Sequence, residues 1–332
     1  MSRGLRIGVS VAVSAACLYF AARGVEWNQA LSAMASAHYF FVVPMLLLTF
    51  LTLYIRAQRW RVLLRPLGNP HMSSLIAATN IGFMANMVLP LRMGEVIRPV
   101  LLSRKENKPL GGILATIVLE RVFDLLTVLL LFGASAAAVG FSPSIQQWGY
   151  RLCYVAVLLT GGVLFVRWQE SLALRLLQTM LRPLPSGVAE PVEHFFRGFV
   201  QALEILDSPL TFLTLVGWSL YLWAAITSVF TFGMMAFELP APLIVGSVVI
   251  TTITAIVISA PSAPGFIGAF QFGCTLALGI FGVAESRAFA FSIVVHITQF
   301  VGTIAAGVYS LTREGLSLRQ LEEVSTTDAT AA

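Results

Sequence analysis

Charged residues interrupt the apolar sequence at two places, and their types fit the binding of a phosphate group. At the first place, the segment 86–95 carries Arg92 and Glu95, and Arg98 follows it within one helical turn. An arginine side chain presents a planar fork of N–H donors that can bind two phosphate oxygens at once. The residue types therefore favour phosphate binding here, with Glu95 balancing part of the positive charge.

The second place is a Glu-Arg-x-x-Asp pattern formed by Glu120, Arg121 and Asp124 inside an otherwise apolar run. Residues three or four apart lie on neighbouring faces of one helix, so these side chains can contact one another. Each charge costs about 2.5–3.5 kcal/mol near the centre of a bilayer, so we expect all three to face protein or water.

Two interpretations fit these charges, and both can hold together. In the functional one, a lipid phosphate binds to three arginines: Arg92, Arg98 and Arg121. Three acidic residues then balance the cations or carry protons: Glu95, Glu120 and Asp124. In the structural one, the same groups form an ion-pair network that joins the two segments, for example between Arg92 and Glu120.

A third set consists of polar and helix-breaking residues that could shape a path beside these charges. Proline cannot continue a helix, and glycine permits close backbone approach. The path-shaping candidates are Asn86, Pro90, Gly94, Pro261, Pro264, Gly265, Gly268, Gln271, His296 and Gln299. A single histidine such as His296 is more typical of a hydrogen-bonded packing residue than of a proton relay.

The composition excludes a soluble enzyme and a soluble nucleic-acid binder. The chain of 332 residues is 57% hydrophobic and 11% charged, whereas ordinary soluble domains carry about 25% charged residues. Cys17, Cys153 and Cys274 all fall in apolar runs without metal-ligand spacing. The sequence also lacks a nucleophile-elbow motif and a P-loop. We therefore expect no catalytic residue, metal, cofactor or nucleic-acid partner.

The apolar runs predict an all-α polytopic membrane protein with about eight transmembrane helices. A helix needs about 20 apolar residues to cross a bilayer. Runs of that size lie near 7–22, 39–55, 112–140, 150–167, 210–236, 242–260, 264–283 and 288–311. Nearly all of the 21 Lys and Arg residues fall in connectors, Arg56 and Arg59 among them. The positive-inside rule then places those connectors and both termini in the cytoplasm.

Two breaks in the apolar runs predict a cavity. Residues 74–91 are too polar to form a good transmembrane span, and a basic connector lies on either side of them in the sequence. The two connectors lie on the same side of the membrane only if this segment does not cross it. We therefore predict a re-entrant segment, 74–95, that enters from the cytoplasm and returns. The second break, 259–271, separates two runs that are either two spans or the arms of a hairpin. Non-helical backbone at membrane depth requires a protein or water-filled surrounding. Paired breaks of this kind favour a binding site, and an inverted repeat is one alternative.

The remaining segments have simpler interpretations. A helical spacing of apolar residues over 190–207 predicts an amphipathic helix at the cytoplasmic interface. The single membrane domain is expected to occupy 1–320, and the small polar segment 321–332 is expected to be a disordered tail.

Three motifs resemble the lysylphosphatidylglycerol synthase transmembrane-region family, also called the flippase-like domain family. They are Asn-x-x-Leu-Pro-x-Arg-x-Gly-Glu at 86–95, Glu-Arg-x-x-Asp at 120–124 and Pro-Gly-x-x-Gly-x-Phe-Gln at 264–271, and the resemblance covers roughly 5–311. Phe266 stands where the family often has glycine, and Gln271 where it often has glutamate. These two departures weaken the transfer of any headgroup contact to the second break.

The resemblance implies a lipid translocator that moves a phospholipid or another anionic lipid between leaflets of a bacterial inner membrane. In the multiple peptide resistance factor, a similar membrane region is implied to move aminoacylated phosphatidylglycerol, while a separate soluble domain transfers the amino acid. We expect that catalytic domain to be absent here, and hence no enzyme activity.

Two alternative functions stay open. One is a non-transporting membrane subunit that docks a soluble lipid-modifying partner, and the weaker one is an aminoacyl-lipid synthase. The expected partners are membrane phospholipids, with a soluble lipid-modifying enzyme and further copies of the chain as additional candidates.

Overall fold

A computed structural model describes residues 3–141, 143–260 and 262–317, and all regular secondary structure in them is helical. The α-helices are α1 Arg3–Ala22, α2 Trp27–Ala35, α3 Val42–Leu63, α4 Met72–Val88, α5 Gly94–Glu106, α6 Leu110–Val139, α7 Pro143–Trp168, α8 Glu170–Leu181, α9 Ser186–Leu203, α10 Pro209–Ala236, α11 Leu243–Ser259, α12 Ala269–Gly279 and α13 Glu285–Arg313. The predicted path residue Pro261 and the predicted tail 321–332 lie outside the described residues.

The apolar helices of the described residues fall into two length classes. Helices long enough to cross a membrane are Tyr39–Leu63, Leu110–Val139, Gly149–Trp168, Pro209–Ala236 and Glu285–Arg313. Shorter apolar helices are Ser10–Ala22, Met72–Val88, Leu243–Ser259 and Pro264–Gly279. The predicted all-α polytopic membrane fold is confirmed, whereas the number of eight crossings stays a prediction.

The helix α3 extends further than hydropathy predicts. The apolar run ends near residue 55, but α3 continues to Leu63 and includes Arg56 and Arg59 in its last turns. Arg59 is completely buried. The assignment of Arg56 and Arg59 to a connector is therefore wrong: the helix continues because apolar residues resume after them, up to the turn at Pro66.

The first break is the tip of an antiparallel helical hairpin formed by α4 and α5. At its open end the backbone N–H of His71 donates to Glu106, over 3.2 Å. Near the tip, a Cβ on Gly94 would collide with the carbonyl oxygen of Gly82, so the absence of a side chain lets the two backbones touch. With 17 and 13 residues, the arms are shorter than the roughly 20 residues that cross a bilayer. Re-entry from the cytoplasm stays a prediction.

The second break is the tip of another antiparallel hairpin, formed by α11 and α12. The Thr254 Oγ1 and Cys274 Sγ atoms lie 3.6 Å apart across it. Its arms have 17 and 11 residues, which favours a hairpin over two complete spans. The two tips meet: a Cβ on Gly265 would lie 3.2 Å from the carbonyl oxygen of Met87.

An amphipathic helix is present close to the predicted place but with different ends. The prediction was 190–207, whereas α9 covers Ser186–Leu203 and a 3-10 turn follows at Glu204–Asp207. Gly198 of α9 lies against the backbone of Gly112, so this helix packs on the first turn of α6. Its position at the cytoplasmic interface stays a prediction.

Candidate functional site

A cavity of about 360 Å³ opens where the two hairpin tips meet, and we call it the central cavity. Its walls come from α3, α4, α6, α10, α11 and α13 as well as from the tips. Its charged lining residues are Arg56, Arg92, Glu95, Arg121 and Asp124. Its apolar lining residues include Leu53, Val128, Phe230, Ala255 and Ile258. This combination suits a ligand that has both a charged group and an apolar body.

Glu120 lies behind the cavity wall and is the centre of a buried ion-pair network. Its carboxylate is completely buried and contacts three guanidinium groups. Arg98 Nη1 lies 3.1 Å from both carboxylate oxygens. Arg121 Nη2 lies 3.0 Å from Oε1 and Arg59 Nη2 lies 3.5 Å from it. The sequence pattern predicted the neighbours Arg121 and Asp124 but not Arg59.

Asp124 is the second carboxylate of the network and is shared by two arginines. Arg59 Nη1 donates to Asp124 Oδ1 over 2.7 Å and to Ser219 Oγ over 3.3 Å. Arg121 Nη2 approaches the other carboxylate oxygen of Asp124 to 3.2 Å. Arg59 thus bridges the two carboxylates and connects α3 to α6. We refer to Arg59, Arg98, Glu120 and Asp124 as the buried network.

Arg98 is positioned by an aromatic ring as well as by Glu120. Its guanidinium carbon lies 3.9 Å from the centre of the Trp60 ring, a cation–π geometry. The Trp60 ring is fixed in turn because its indole N–H donates to Thr116 Oγ1 over 2.9 Å. Arg98 is 4% exposed, so the structure places this predicted phosphate donor in the scaffold behind the cavity.

The arginines that line the central cavity differ from those of the buried network. The side chain of Arg121 is 43% exposed although its partner Glu120 is completely buried. Arg56 is half-buried and lies 4.6 Å above the Phe83 ring. Because Arg59 and Arg98 already match the two carboxylates in charge, Arg56 and Arg121 give this region a surplus of positive charge.

Arg92 joins the two hairpin tips, and the suggested pair between Arg92 and Glu120 is wrong. Arg92 Nη1 instead lies 3.7 Å from Glu95 Oε1, three residues along the chain. Its Nη2 donates to the carbonyl oxygen of Ile258, at the end of α11. Its guanidinium also lies 5.2 Å from the centre of the Phe266 ring in the second tip.

Both tips contain backbone conformations that non-glycine residues rarely adopt. The φ angles are +61° at Leu91, +54° at Arg92 and +59° at Phe266. Such left-handed residues cost about 1–3 kcal/mol and persist where the surrounding structure fixes them, often at functional sites. Glycine adopts left-handed φ angles without strain, which explains why it suits position 266 of the Pro-Gly-x-x-Gly-x-Phe-Gln motif.

A chain of hydrogen bonds holds the second tip on α13. The carbonyl of Gly265 can only accept, so His296 Nε2 donates to it, over 2.8 Å. His296 Nδ1 then accepts from the amide nitrogen of Gln271 over 2.9 Å. The Gln271 amide oxygen accepts from the Gly268 N–H over 2.8 Å. With both ring nitrogens partnered, His296 here is a neutral packing residue.

The predicted path residues divide between the cavity lining and its support. Asn86, His296 and Gln299 line the central cavity. The remaining described candidates form or support the hairpin tips: Pro90, Gly94, Pro264, Gly265, Gly268 and Gln271.

Three buried polar atoms of the lining have no hydrogen-bond partner among the described residues. They are Asn86 Oδ1, Gln299 Nε2 and the indole nitrogen of Trp223. The sequence patterns did not indicate Trp223, Arg56 or Arg59 as residues of this site. For the two arginines the missed signal is the apolar sequence that continues after them to Leu64.

These features define a polytopic membrane protein whose charged cavity lies between two helical hairpins. Residues 7–307 match the family described as lysylphosphatidylglycerol synthase TM region, and the chain belongs to that family. The family resemblance predicted from the three motifs is confirmed.

Two curated relatives are similar to much of this chain. The glycosyltransferase AglD of Haloferax volcanii is 23% identical over 331 residues, covering 91% of this chain and 53% of that protein. The UPF0104 membrane protein MJ1078 of Methanocaldococcus jannaschii is 23% identical over 230 residues, covering 67% of this chain and 90% of that protein. The chain therefore spans about half the length of the first relative and most of the second.

Proposed function

We propose that this protein is a lipid translocator that moves a phospholipid or another anionic lipid between the leaflets of a bacterial inner membrane, without catalysing a chemical reaction. The observation that carries the proposal is the central cavity, which combines surplus arginine charge with apolar walls. A lipid headgroup phosphate fits the charged part, and the adjoining part of its acyl chains fits the apolar walls.

Arg121 is the arginine best suited to bind the phosphate during passage. Its guanidinium is 43% exposed and contacts both carboxylates of the network. If it turns to a phosphate, Arg98 still pairs with Glu120 and Arg59 still pairs with Asp124. The exchange leaves neither carboxylate without a partner, and so avoids the roughly 3–5 kcal/mol cost of breaking a buried pair.

Arg92 supports an earlier contact at the hairpin tips. It is partly exposed and can offer its guanidinium to a phosphate beside Glu95. Its bond to the Ile258 carbonyl and its contact with Phe266 join the two tips. A phosphate that binds Arg92 therefore competes with these contacts between the tips. The proposed route runs from the inner leaflet past Arg92 to Arg121. Arg98 holds the buried carboxylate in place instead of binding the lipid.

The test is lipid translocation by the purified chain in liposomes that contain fluorescent phosphatidylglycerol. A lost charge-assisted contact of about 1.5–3 kcal/mol corresponds to a rate reduction of roughly ten- to a hundred-fold. We expect that reduction for Arg121→Ala. The matched control, Arg175→Ala, removes an exposed arginine on α8 and should leave the rate unchanged. Equal rates for both variants and the parent chain would contradict the proposal.

A membrane subunit that works with a soluble lipid-modifying enzyme is a second candidate. The relative AglD, which is named a glycosyltransferase, has nearly half of its length outside the matched region. This length favours a membrane region that accompanies another functional part in that protein. Liposomes that contain the purified chain alone distinguish the two functions, since a docking subunit would move no lipid under those conditions.

A further inference from the structure

A second depression lies on the outer surface, where α3 ends and α10 begins. It has a volume of about 410 Å³ and we call it the basic groove. Its lining residues are Gln58, Arg61, Val62, Arg65, Asn69, Thr214 and Trp218. These residues include two exposed arginines and no carboxylate. The groove therefore has a local positive charge that its own lining does not neutralise.

The basic groove and the central cavity lie on opposite faces of α3. Successive residues of an α-helix are rotated by about 100°. Arg61 and Gln58 are consequently turned well away from Arg56 and Thr49, which line the central cavity. A ligand in the groove would thus lie outside the proposed translocation route.

An aromatic and apolar surface continues from the groove along both helices. On α3, the groove face continues through Tyr54, 45% exposed, to Leu47, 63% exposed. On α10, it continues from Trp218 to Tyr221, which is 50% exposed and packs on the Trp218 ring. Basic residues followed by aromatic and then aliphatic ones match the order of a leaflet, from headgroups through the interface to acyl chains.

We propose that the basic groove binds an anionic phospholipid at a fixed site distinct from the central cavity. The phosphodiester lies between Arg61, in the last turn of α3, and Arg65, in the 3-10 turn that follows α3. Asn69 and Thr214 provide further polar groups, and one acyl chain follows the surface formed by Tyr54, Tyr221 and Leu47. The apolar continuation selects a lipid over a soluble phosphate, because a free phosphate would leave this surface unused.

The experiment is native mass spectrometry of the full chain in detergent micelles, titrated separately with phosphatidylglycerol, phosphatidylcholine and inorganic phosphate. An arginine near a membrane surface contributes about 1 kcal/mol to anionic-lipid binding. Loss of both arginines should therefore weaken the tightest phosphatidylglycerol site roughly 30-fold in the double variant Arg61→Gln/Arg65→Gln. Arg61→Lys/Arg65→Lys should retain most of the affinity because it keeps the charge.

The control is Arg175→Gln/Arg182→Gln, which removes the same charge from two exposed positions, one on α8 and one directly after it. It should leave the tightest site unchanged. Equal weakening by both glutamine variants would overturn the proposal in favour of general surface attraction. Equal binding of phosphatidylcholine, or binding of inorganic phosphate in place of phosphatidylglycerol, would also overturn it. Because Arg61 and Arg65 do not line the central cavity, failure here is distinct from failure of the translocation proposal, which rests on Arg92 and Arg121.

Discussion

The buried network and the lining of the central cavity use the same residue type for different purposes. Arg59 and Arg98 are almost fully enclosed and are matched by Glu120 and Asp124. Arg121 contacts the same two carboxylates but is 43% exposed. In the proposed function, burial and partner redundancy, and not residue type, decide which arginine can exchange its contacts for a ligand.

The largest expected effect comes from breaking the buried network at its centre. Glu120→Ala leaves Arg98 without its carboxylate and removes one of the two partners of Arg59. An uncompensated buried charge costs about 3–5 kcal/mol, so we expect severe loss of folded protein. Thermal unfolding of the purified protein in detergent measures it.

The control for this prediction is Glu193→Ala. It breaks an ion pair with Arg197 in which the arginine side chain is 57% exposed, so solvent replaces the lost partner and the unfolding temperature should hardly change. If Glu120→Ala unfolds at the parent temperature, the network does not stabilise the fold.

The next largest effect is expected from Gly94→Ala, because the close contact between the arms of the first hairpin supports both the buried network and the central cavity. In Gly94→Ala, the new Cβ would lie 2.6 Å from Asn86 Oδ1 and still closer to the Gly82 carbonyl oxygen. Overpacking typically costs about 1–3 kcal/mol, and the arms must separate to accommodate it. We expect a lower unfolding temperature and slower translocation together.

Gly161→Ala is the matched control for Gly94→Ala, because an added Cβ at Gly161 meets nothing within 4 Å. It should leave stability and translocation unchanged. Unchanged stability of Gly94→Ala would show that the arms are not in close backbone contact.

Two substitutions at Arg92 test whether this arginine of the central cavity is needed for translocation. Arg92→Ala removes the charge, whereas Arg92→Lys keeps the charge and loses the planar fork that binds two oxygens. We expect Arg92→Ala to abolish lipid translocation in liposomes and Arg92→Lys to retain partial activity. Full activity in both folded variants would remove Arg92 from the route.

The sequence predicts the composition of the site better than its contacts. The Glu-Arg-x-x-Asp spacing places Glu120 and Asp124 one helical turn apart, and that local relation needs only helix geometry. The contacts of Arg92 with Ile258 and Phe266 in the second hairpin could not be predicted in this way. The left-handed φ of Leu91 and Arg92 redirects the chain at the tip, and helical periodicity contains no such turn.

The missed residues show why hydropathy alone does not locate a buried network. Arg56 and Arg59 lower the mean hydropathy of their segment, so the apolar run ends before them although the helix continues to Leu63. The burial of Arg59 depends on α6 carboxylates more than 60 residues away in the chain, as in its bond with Asp124. Trp223 reaches the cavity only through the packing of α10, which single-sequence patterns do not specify.

The smallest expected effect is the stability change of Arg121→Ala, and it most directly tests the comparison between the two regions. In that variant Arg98 remains 3.1 Å from Glu120 and Arg59 remains 2.7 Å from Asp124. Neither carboxylate is left without a cationic partner, so the roughly 3–5 kcal/mol cost of an uncompensated buried charge does not arise. We therefore expect an unfolding temperature close to that of the parent chain, together with the loss of translocation described above. A destabilisation as large as that of Glu120→Ala would instead make Arg121 a structural member of the buried network, and the proposed exchange with a lipid phosphate would fail.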